Sequence, residues 1–313
     1  MSNKLQIGLI GLGIMGSAMA EHLLQAGHEV YGYDIAPQAK ARLKKRGGIA
    51  CNRVEDVWQH AAIVITSLPT SQALHEVTQA LCRAVTDHKN SLRILIETST
   101  LPLSDKVACA KQLKTAGITA LDCPITGTVA QLEGRLWSFF ASGPKKAYQQ
   151  ARPTLQVFTD NIAYVGAYGS GTKMKLVANH LVAIYNVAYA ESVTLARKMG
   201  LNPRDVLTLF GTSPILGTGV MRSRMAMMVK RNYTPPTMKV QVWQKDMAVI
   251  GEMAKAIDCP TPLFTTSADI YTAAMAQGLA LEDTASTAEV LGAMAGIPSR
   301  RRTRRRTAST NDV

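Results

Sequence analysis

In the stretch Gly169-Ser-Gly-Thr-Lys-Met-Lys-Leu-Val-Ala-Asn-His-Leu181, two lysines, an asparagine and a histidine head an apolar run that continues to Ala196. Burying an amine is costly unless it is paired or neutralised, so a polar cluster here needs an exposed edge or a task. On a helix Lys175 and Asn179 lie one turn apart on one face, whereas Lys173 is turned roughly 200° from Lys175. Only Lys175 shares the asparagine's side. An amine and an amide so placed can exchange a proton with a hydroxyl and hold that hydroxyl in line. The positive end of the helix dipole disfavours an ammonium at Lys175, and a nicotinamide cation nearby would disfavour it further, which favours a base.

A second constellation suits a nucleotide. Gly11-x-Gly13-x-x-Gly16 stands directly after a strand pattern and directly before an amphipathic helix ending at Gly27. The first glycine makes a tight turn, the second lets the backbone approach a pyrophosphate, and the third lets helix and strand pack closely. The helix start then offers N–H groups to phosphates. Asp34 closes the second strand 18 residues after Gly16. A carboxylate there accepts from adenosine ribose hydroxyls and repels a 2′-phosphate, so NAD is expected in preference to NADP. A turn or helix-cap role for Asp34 is the alternative, and Lys40 or Arg42 could reach a phosphate instead. Thr66-Ser-Leu-Pro69 and Glu97-Thr-Ser-Thr100 end the next strong strands, at the edge where open α/β sheets hold ligands. The cofactor contacts expected are therefore Gly11, Leu12, Gly13, Ile14, Met15, Gly16, Asp34, Leu68, Pro69 and Thr100.

The elements that must position these residues follow from periodicity. Strand patterns at Leu5–Ile10, His28–Tyr33, Ala62–Thr66, Leu92–Glu97, Ile118–Leu121, Leu136–Ala141 and Ile162–Val165 alternate with helical ones, which means crossover units and a mainly parallel sheet. Beyond Gly171 the chain turns to long helical stretches rich in Ala, Met and Leu, broken at prolines. The first, about Thr172 to Met199, is apolar nearly all round and so is expected inside a domain or between subunits, as in a homodimer or homotetramer. The fold expected is an α/β Rossmann-type doubly wound domain over 1–166 and an all-α domain over 167–297. A disordered basic tail over 298–313 completes it.

Composition narrows the classes. The chain has 313 residues, long enough for two cores. Of its formal charge of +13, six positive charges belong to the tail arginines between Arg300 and Arg306, so the folded part is only mildly basic and nucleic acid is not the expected partner. Five cysteines without a CxxC pair and six histidines without ligand spacing point to reduced thiols and no metal. No apolar run is long enough to span a membrane, so a cytoplasmic protein is expected.

One further stretch, Asp122-Cys-Pro-Ile-Thr-Gly-Thr-Val-Ala-Gln-Leu-Glu-Gly134, follows a strand pattern. With it the chain resembles the β-hydroxyacid dehydrogenases, the family of 3-hydroxyisobutyrate dehydrogenase, from about Lys4 to Ile297. The resemblance rests on Gly11-Leu-Gly-Ile-Met-Gly-Ser-Ala-Met-Ala-Glu-His-Leu23, the D-x-P-x-S-G type substrate loop, the G-x-G-x-x-x-K-x-x-x-N helix and the Lys245-Asp246 pair. It implies Lys175 as general acid/base, Asn179 as its hydrogen-bonding partner on the substrate, and Thr126 with Gly127 as donors to a carboxylate. It also implies Lys245 near both nicotinamide and substrate, and a small hydroxycarboxylate as the substrate. Thr126 stands where the family has serine, Thr128 where a second glycine is common, and Ala178 where a first asparagine is usual.

The activity so implied is interconversion of a small 3-hydroxyacid with its semialdehyde or ketoacid. Imine reduction shares the architecture, but the resemblance implies another residue at the lysine position there. A non-catalytic nucleotide or nucleic-acid binder using the arginine tail is the reading from a different class, and Lys175 with Asn179 speaks against it. Trp137, Trp243 and Arg222 are candidate pocket walls, with packing or surface roles as the alternative.

Overall fold

The computed structural model describes residues 4–85 and 93–298. Met1–Asn3, Leu92 and the arginines of the tail lie outside the described residues. The chain divides into two compact units, Met1–Leu176 and Val177–Val313.

The first unit is a doubly wound sheet. Its strands are β1 (Gln6–Ile10), β2 (Glu29–Tyr33), β3 (Ile49–Ala50), β4 (Ile63–Thr66), β5 (Ile94–Glu97) and β6 (Thr119–Asp122), in the order β3-β2-β1-β4-β5-β6, every pair parallel. Helices α1 (Ile14–Gln25), α2 (Pro37–Lys45), α3 (Val54–His60), α4 (Ser71–Ala84) and α5 (Leu103–Thr115) make the crossovers. The alternation of a strand sends neighbouring residues to opposite faces. Ile7, Leu9, Ile65, Ile94 and Ile96 accordingly join one core with Met19 and Leu23 of α1, while Ile10, Val64 and Leu95 join the other with Trp58, Leu74 and Leu81. Burial on both faces explains why these strands read as continuous apolar runs.

Register decides what the sheet presents. Ile10 pairs with Tyr33 and Thr66, Thr66 with Glu97, and Glu97 with Asp122, so the carboxyl ends of five strands are level. The strand order reverses at β1, between β2 and β4, which is where such sheets open a ligand crevice.

The strand patterns at Leu136–Ala141 and Ile162–Val165 do not extend this sheet. They form β8 (Ser138–Ala141) and β9 (Ile162–Tyr164), which with β7 (Ile125–Thr126) make a separate three-stranded sheet, β7 antiparallel to β8 and β8 parallel to β9. Pro124 offers no N–H to prolong the ladder beyond β6, so the chain turns there. The short α6 (Val129–Leu132) and α7 (Lys145–Gln156) complete the connections.

Helix α8 runs from Ser170 to Lys198, 29 residues, beginning in the first unit and supplying the longest element of the second. Helices α9 (Pro203–Gly211), α10 (Gly219–Lys230), α11 (Val240–Ala256), α12 (Pro262–Ala276) and α13 (Thr287–Met294) follow, and every regular element of this unit among the described residues is helical. Asn202 and Thr218 cap α9 and α10 through their side chains, and Pro203 and Pro262 stand at the first helical positions, where the missing N–H costs nothing. Arg224 Nη1 lies 2.5 Å from Asp283 Oδ1, whose carboxylate also accepts from Thr237, Met238 and Ala285 N–H groups. Burial pushes that carboxyl up, but Arg224 and the three amides outweigh it and hold it below the usual carboxylate range. The pair fastens the segment that leads into α11.

Helix α8 is buried along one face within the chain. Ala183, Val187, Ala190 and Val193 are buried, but Met174, Val177, Leu181 and Tyr185 are 38–59% exposed. Steps of three and four residues put these four on one stripe. One chain covers one face of the helix, and the apolar remainder has no cover among the described residues. No helix among the described residues is long and apolar enough to cross a membrane.

Candidate active site

Gly11 has φ +90°, and a Cβ there would lie 2.2 Å from Ser67 O. A Cβ on Gly16 would lie 1.9 Å from Gly11 O, whereas one on Gly13 would meet nothing within 4 Å. The first and third glycines thus serve the turn and its packing on α1, and the second faces open space that a phosphate group can fill. Gly13 is also the N-cap of α1 and no side chain caps that helix end. These residues fit a dinucleotide. Leu12 is buried, holding the loop down, while Gly13 and Ile14 are exposed and Met15 is half-buried.

Asp34 follows β2 and is half-buried. Its Oδ2 accepts from Leu12 N at 2.6 Å and its Oδ1 from Ala36 N at 2.7 Å. The turn role and the cofactor role expected of this carboxylate are therefore compatible: it ties the glycine loop to the end of β2 and keeps a negative charge at a fixed place. Lys40 Nζ sits over the Tyr33 ring, 5.6 Å from its centroid, and Arg42 is exposed. The turns after β4 and β5 are likewise joined, since Leu68 N donates to Ser99 Oγ at 2.8 Å. Leu68 is buried, Pro69 exposed and Thr100 half-buried.

Asp122 closes β6 and opens the substrate-loop segment. Thr126 Oγ1 is shielded from solvent yet has no hydrogen-bond partner among the described residues, an orphan acceptor and donor in that loop. Gly127, at φ +136°, has no room for a Cβ, which would lie 2.5 Å from Trp137 Cδ1. Trp137 Nε1 donates to Thr128 O at 2.7 Å, and Thr128 N donates to Gln131 Oε1 at 2.8 Å. Thr128, where the resemblance leads one to expect glycine, caps α6. Trp137 is fully buried against Phe139 and Phe158, Trp243 is buried beside Tyr271, and Arg222 is exposed with Nη1 on Gly211 O.

Lys175 is 8% exposed, in the first turns of α8, and Lys173 is exposed. The start of that helix is anchored on Asp122: Thr172 N donates to Asp122 Oδ2 and Thr172 Oγ1 to Asp122 Oδ1, each at 2.7 Å. A carboxylate therefore sits on the positive end of the α8 dipole, a counter-charge that reasoning from the dipole alone leaves out. One turn beyond Lys175, Asn179 Nδ2 donates to Asp246 Oδ2 at 3.0 Å, and Lys245 Nζ lies 3.5 Å from Asp246 Oδ1. A carboxylate only accepts, so this bond sets which way the Asn179 amide faces. Among the described residues no cluster of His, Cys, Asp and Glu is disposed to hold a metal.

Sequence reasoning missed Lys106. It is fully buried on α5, with Nζ 2.5 Å from Glu97 Oε2, 2.6 Å from Asp122 Oδ1 and 3.0 Å from Ser99 O. Burial alone would lower its pKa, but Glu97 and Asp122 more than reverse that and hold the ammonium above the ordinary lysine value. The signal was its place on the inner stripe of α5 with Cys109 and Leu113, where an unpaired lysine would not be tolerated.

A family model described as the NAD binding domain of 6-phosphogluconate dehydrogenase matches residues 6–166, and one described as NAD-binding of NADP-dependent 3-hydroxyisobutyrate dehydrogenase matches residues 169–291. L-threonate dehydrogenase of Cupriavidus necator is 26% identical over 285 residues, covering 91% of this chain and 95% of that protein. 2-(Hydroxymethyl)glutarate dehydrogenase of Eubacterium barkeri is 26% identical over 303 residues, covering 95% and 98%. The solved structure of Mycobacterium tuberculosis 3-hydroxyisobutyrate dehydrogenase with L-serine shares the fold at a TM-score of 0.82 and 24% identity, covering 92% of this chain and 99% of that one.

Proposed function

The chain belongs to the β-hydroxyacid dehydrogenase family, and from that premise we propose that it oxidises a small 3-hydroxyacid to its semialdehyde or ketoacid, or runs the reverse reduction, with NAD as the preferred cofactor. The observation that carries the reading is the anchoring of α8 on Asp122, which brings the first turns of the lysine helix and the start of the Thr126–Gly127 loop to one carboxylate. Residues 1–166 serve as the nucleotide domain and 167–297 as the helical substrate and association domain.

A bound nicotinamide supplies the hydride acceptor, or in reverse the donor. Gly11 to Gly16 hold the pyrophosphate, and Asp34, Leu68, Pro69 and Thr100 complete the contacts. Thr126 Oγ1 and Gly127 N donate to the substrate carboxylate, a use that supplies the partner Thr126 lacks among the described residues. Lys175 Nζ, neutral when it acts, takes the hydroxyl proton as the carbon is oxidised and returns it in reduction. By the family resemblance alone, Asn179, its amide turned by Asp246, takes the role of aligning the hydroxyl, and Lys245 that of a positive charge for the carboxylate. NAD is preferred because the Asp34 carboxylate, pinned by two backbone amides, cannot swing away from a 2′-phosphate.

The test is a panel of NAD and NADP against glycerate, 3-hydroxyisobutyrate, 3-hydroxypropionate, 4-hydroxybutyrate and threonate, followed by absorbance of the reduced cofactor. We expect turnover with at least one of these acids and a kcat/KM for NAD about tenfold or more above that for NADP, the charge-assisted ribose bonds being worth about 1.5–3 kcal/mol. Silence across the panel would remove the dehydrogenase reading.

The exposed stripe Met174, Val177, Leu181 and Tyr185 supports self-association as a homodimer or homotetramer. Light scattering should give a mass of two or four chains; a mass of one chain would refute it.

A further inference from the structure

The buried ammonium of Lys106 donates to Ser99 O and Asp122 Oδ1 and pairs in charge with Glu97 Oε2, and each of these oxygens belongs to a different part of the site. Glu97 ends β5, Ser99 O lies in the cofactor turn, and Asp122 stands where the substrate loop and α8 both begin. Glu97 in turn accepts from Ser99 N through Oε1 at 2.8 Å, and Ser99 Oγ takes Leu68 N, so Ser99 is held at its N–H, its carbonyl and its hydroxyl. Asp122 is held as fully: Lys106 and Thr172 Oγ1 on Oδ1, and Thr172 N and Ser142 Oγ on Oδ2. Its backbone also pairs with Ser142 in both directions.

The cluster carries two carboxylates for one ammonium, all out of water. Taking such charges out of solvent costs enough that apolar residues of the same volume would stabilise the fold as well or better. What apolar side chains could not do is fix three segments to one point with the angular demands of charged hydrogen bonds. The residues so fixed flank the groups of the reaction: Ser99 precedes Thr100, Asp122 precedes Thr126 by four positions, and Thr172 precedes Lys175 by three. We propose that Lys106 is a positioning residue of the active site, locking the cofactor turn, the substrate loop and the first turn of the Lys175 helix into one frame. The kinetic part of this inference rests on the dehydrogenase reading; the structural part does not.

Two variants of the full chain test it. Lys106→Met leaves the two carboxylates without their cation, so its fold is at risk. Lys106→Met with Glu97→Gln removes one charge of each sign, keeps the net charge of the cluster, and isolates the loss of the frame. In the double variant, hydrogen exchange should accelerate about tenfold or more together in the segments around 98–101, 122–128 and 170–174, with strands β1 and β2 unchanged. On the substrate that the panel identifies, kcat should fall about 100-fold, the cost of a misplacement of about 1 Å, with the KM for the dinucleotide within about threefold. Protection retained in any one of the three segments, exchange raised uniformly over the first unit, or a kcat within threefold of the parent would overturn the proposal. Exchange needs no substrate. A joint loss of protection therefore upholds the frame even where the panel finds no hydroxyacid, which separates this inference from the functional reading.

Discussion

Lys175→Ala should bind reduced dinucleotide within about threefold of the parent and turn over about 10³- to 10⁴-fold more slowly, the range by which positioned acid–base groups act. The separation of the two effects is what identifies the role. In the proposed reading the glycine loop, Asp34 and the turns after β4 and β5 would hold the cofactor, and the hydrogen bonds that fix them do not involve Lys175. A small alkylamine added to the variant should restore part of the rate, because the missing atom is a base and the alanine leaves room for one. Fluorescence titration of the reduced cofactor and steady-state kinetics are the measurements. A variant that keeps parental turnover would take Lys175 out of the chemistry, and one that loses the cofactor as well would make it a structural residue.

Much of the nucleotide half was legible because its constraints are local. Three glycines at fixed spacing encode a turn, a phosphate approach and a helix contact, and continuous apolar runs encode strands covered on both faces. The helix bearing Lys175 was legible for the same reason, one turn of α8 being enough to separate Lys175 from Lys173. What escaped depends on contacts that no spacing carries. The inner stripe of α5 marks Lys106 as buried, but its partners appear only when β5 and β6 are seen side by side, which brings Glu97 and Asp122 to the same ammonium. The bond between Asn179 and Asp246 joins residues 67 positions apart. The small sheet was misassigned because β7, β8 and β9 are two to four residues long and a strand pattern does not say which sheet it joins. The sequence of α8 left open whether its apolar faces are covered inside a domain or between subunits, because counting apolar side chains does not say how many faces one chain can cover.

The glycine loop allows the fold and the cofactor to be separated by two substitutions three residues apart. In Gly16→Ala the new methyl would stand 1.9 Å from Gly11 O, and that neighbour is backbone, fixed in turn by Gly11 N on Tyr33 O at 2.9 Å. No rotamer can yield, so α1 must move off the turn. Overpacking of this kind costs about 1–3 kcal/mol or more, and the displaced turn no longer offers its amides where a pyrophosphate needs them. Gly16→Ala should therefore melt several degrees lower and bind reduced dinucleotide about 100-fold more weakly. Gly13→Ala should behave otherwise. Its φ of −66° suits any residue, and its methyl would enter open space. The protein alone should then melt within about one degree of the parent, while the methyl fills volume that the phosphates require and weakens the cofactor about tenfold or more, some 1.4 kcal/mol. If Gly13→Ala bound the dinucleotide as tightly as the parent, the pyrophosphate would not lie over this turn, and the cofactor contacts assigned to Gly11 through Gly16 would fall together.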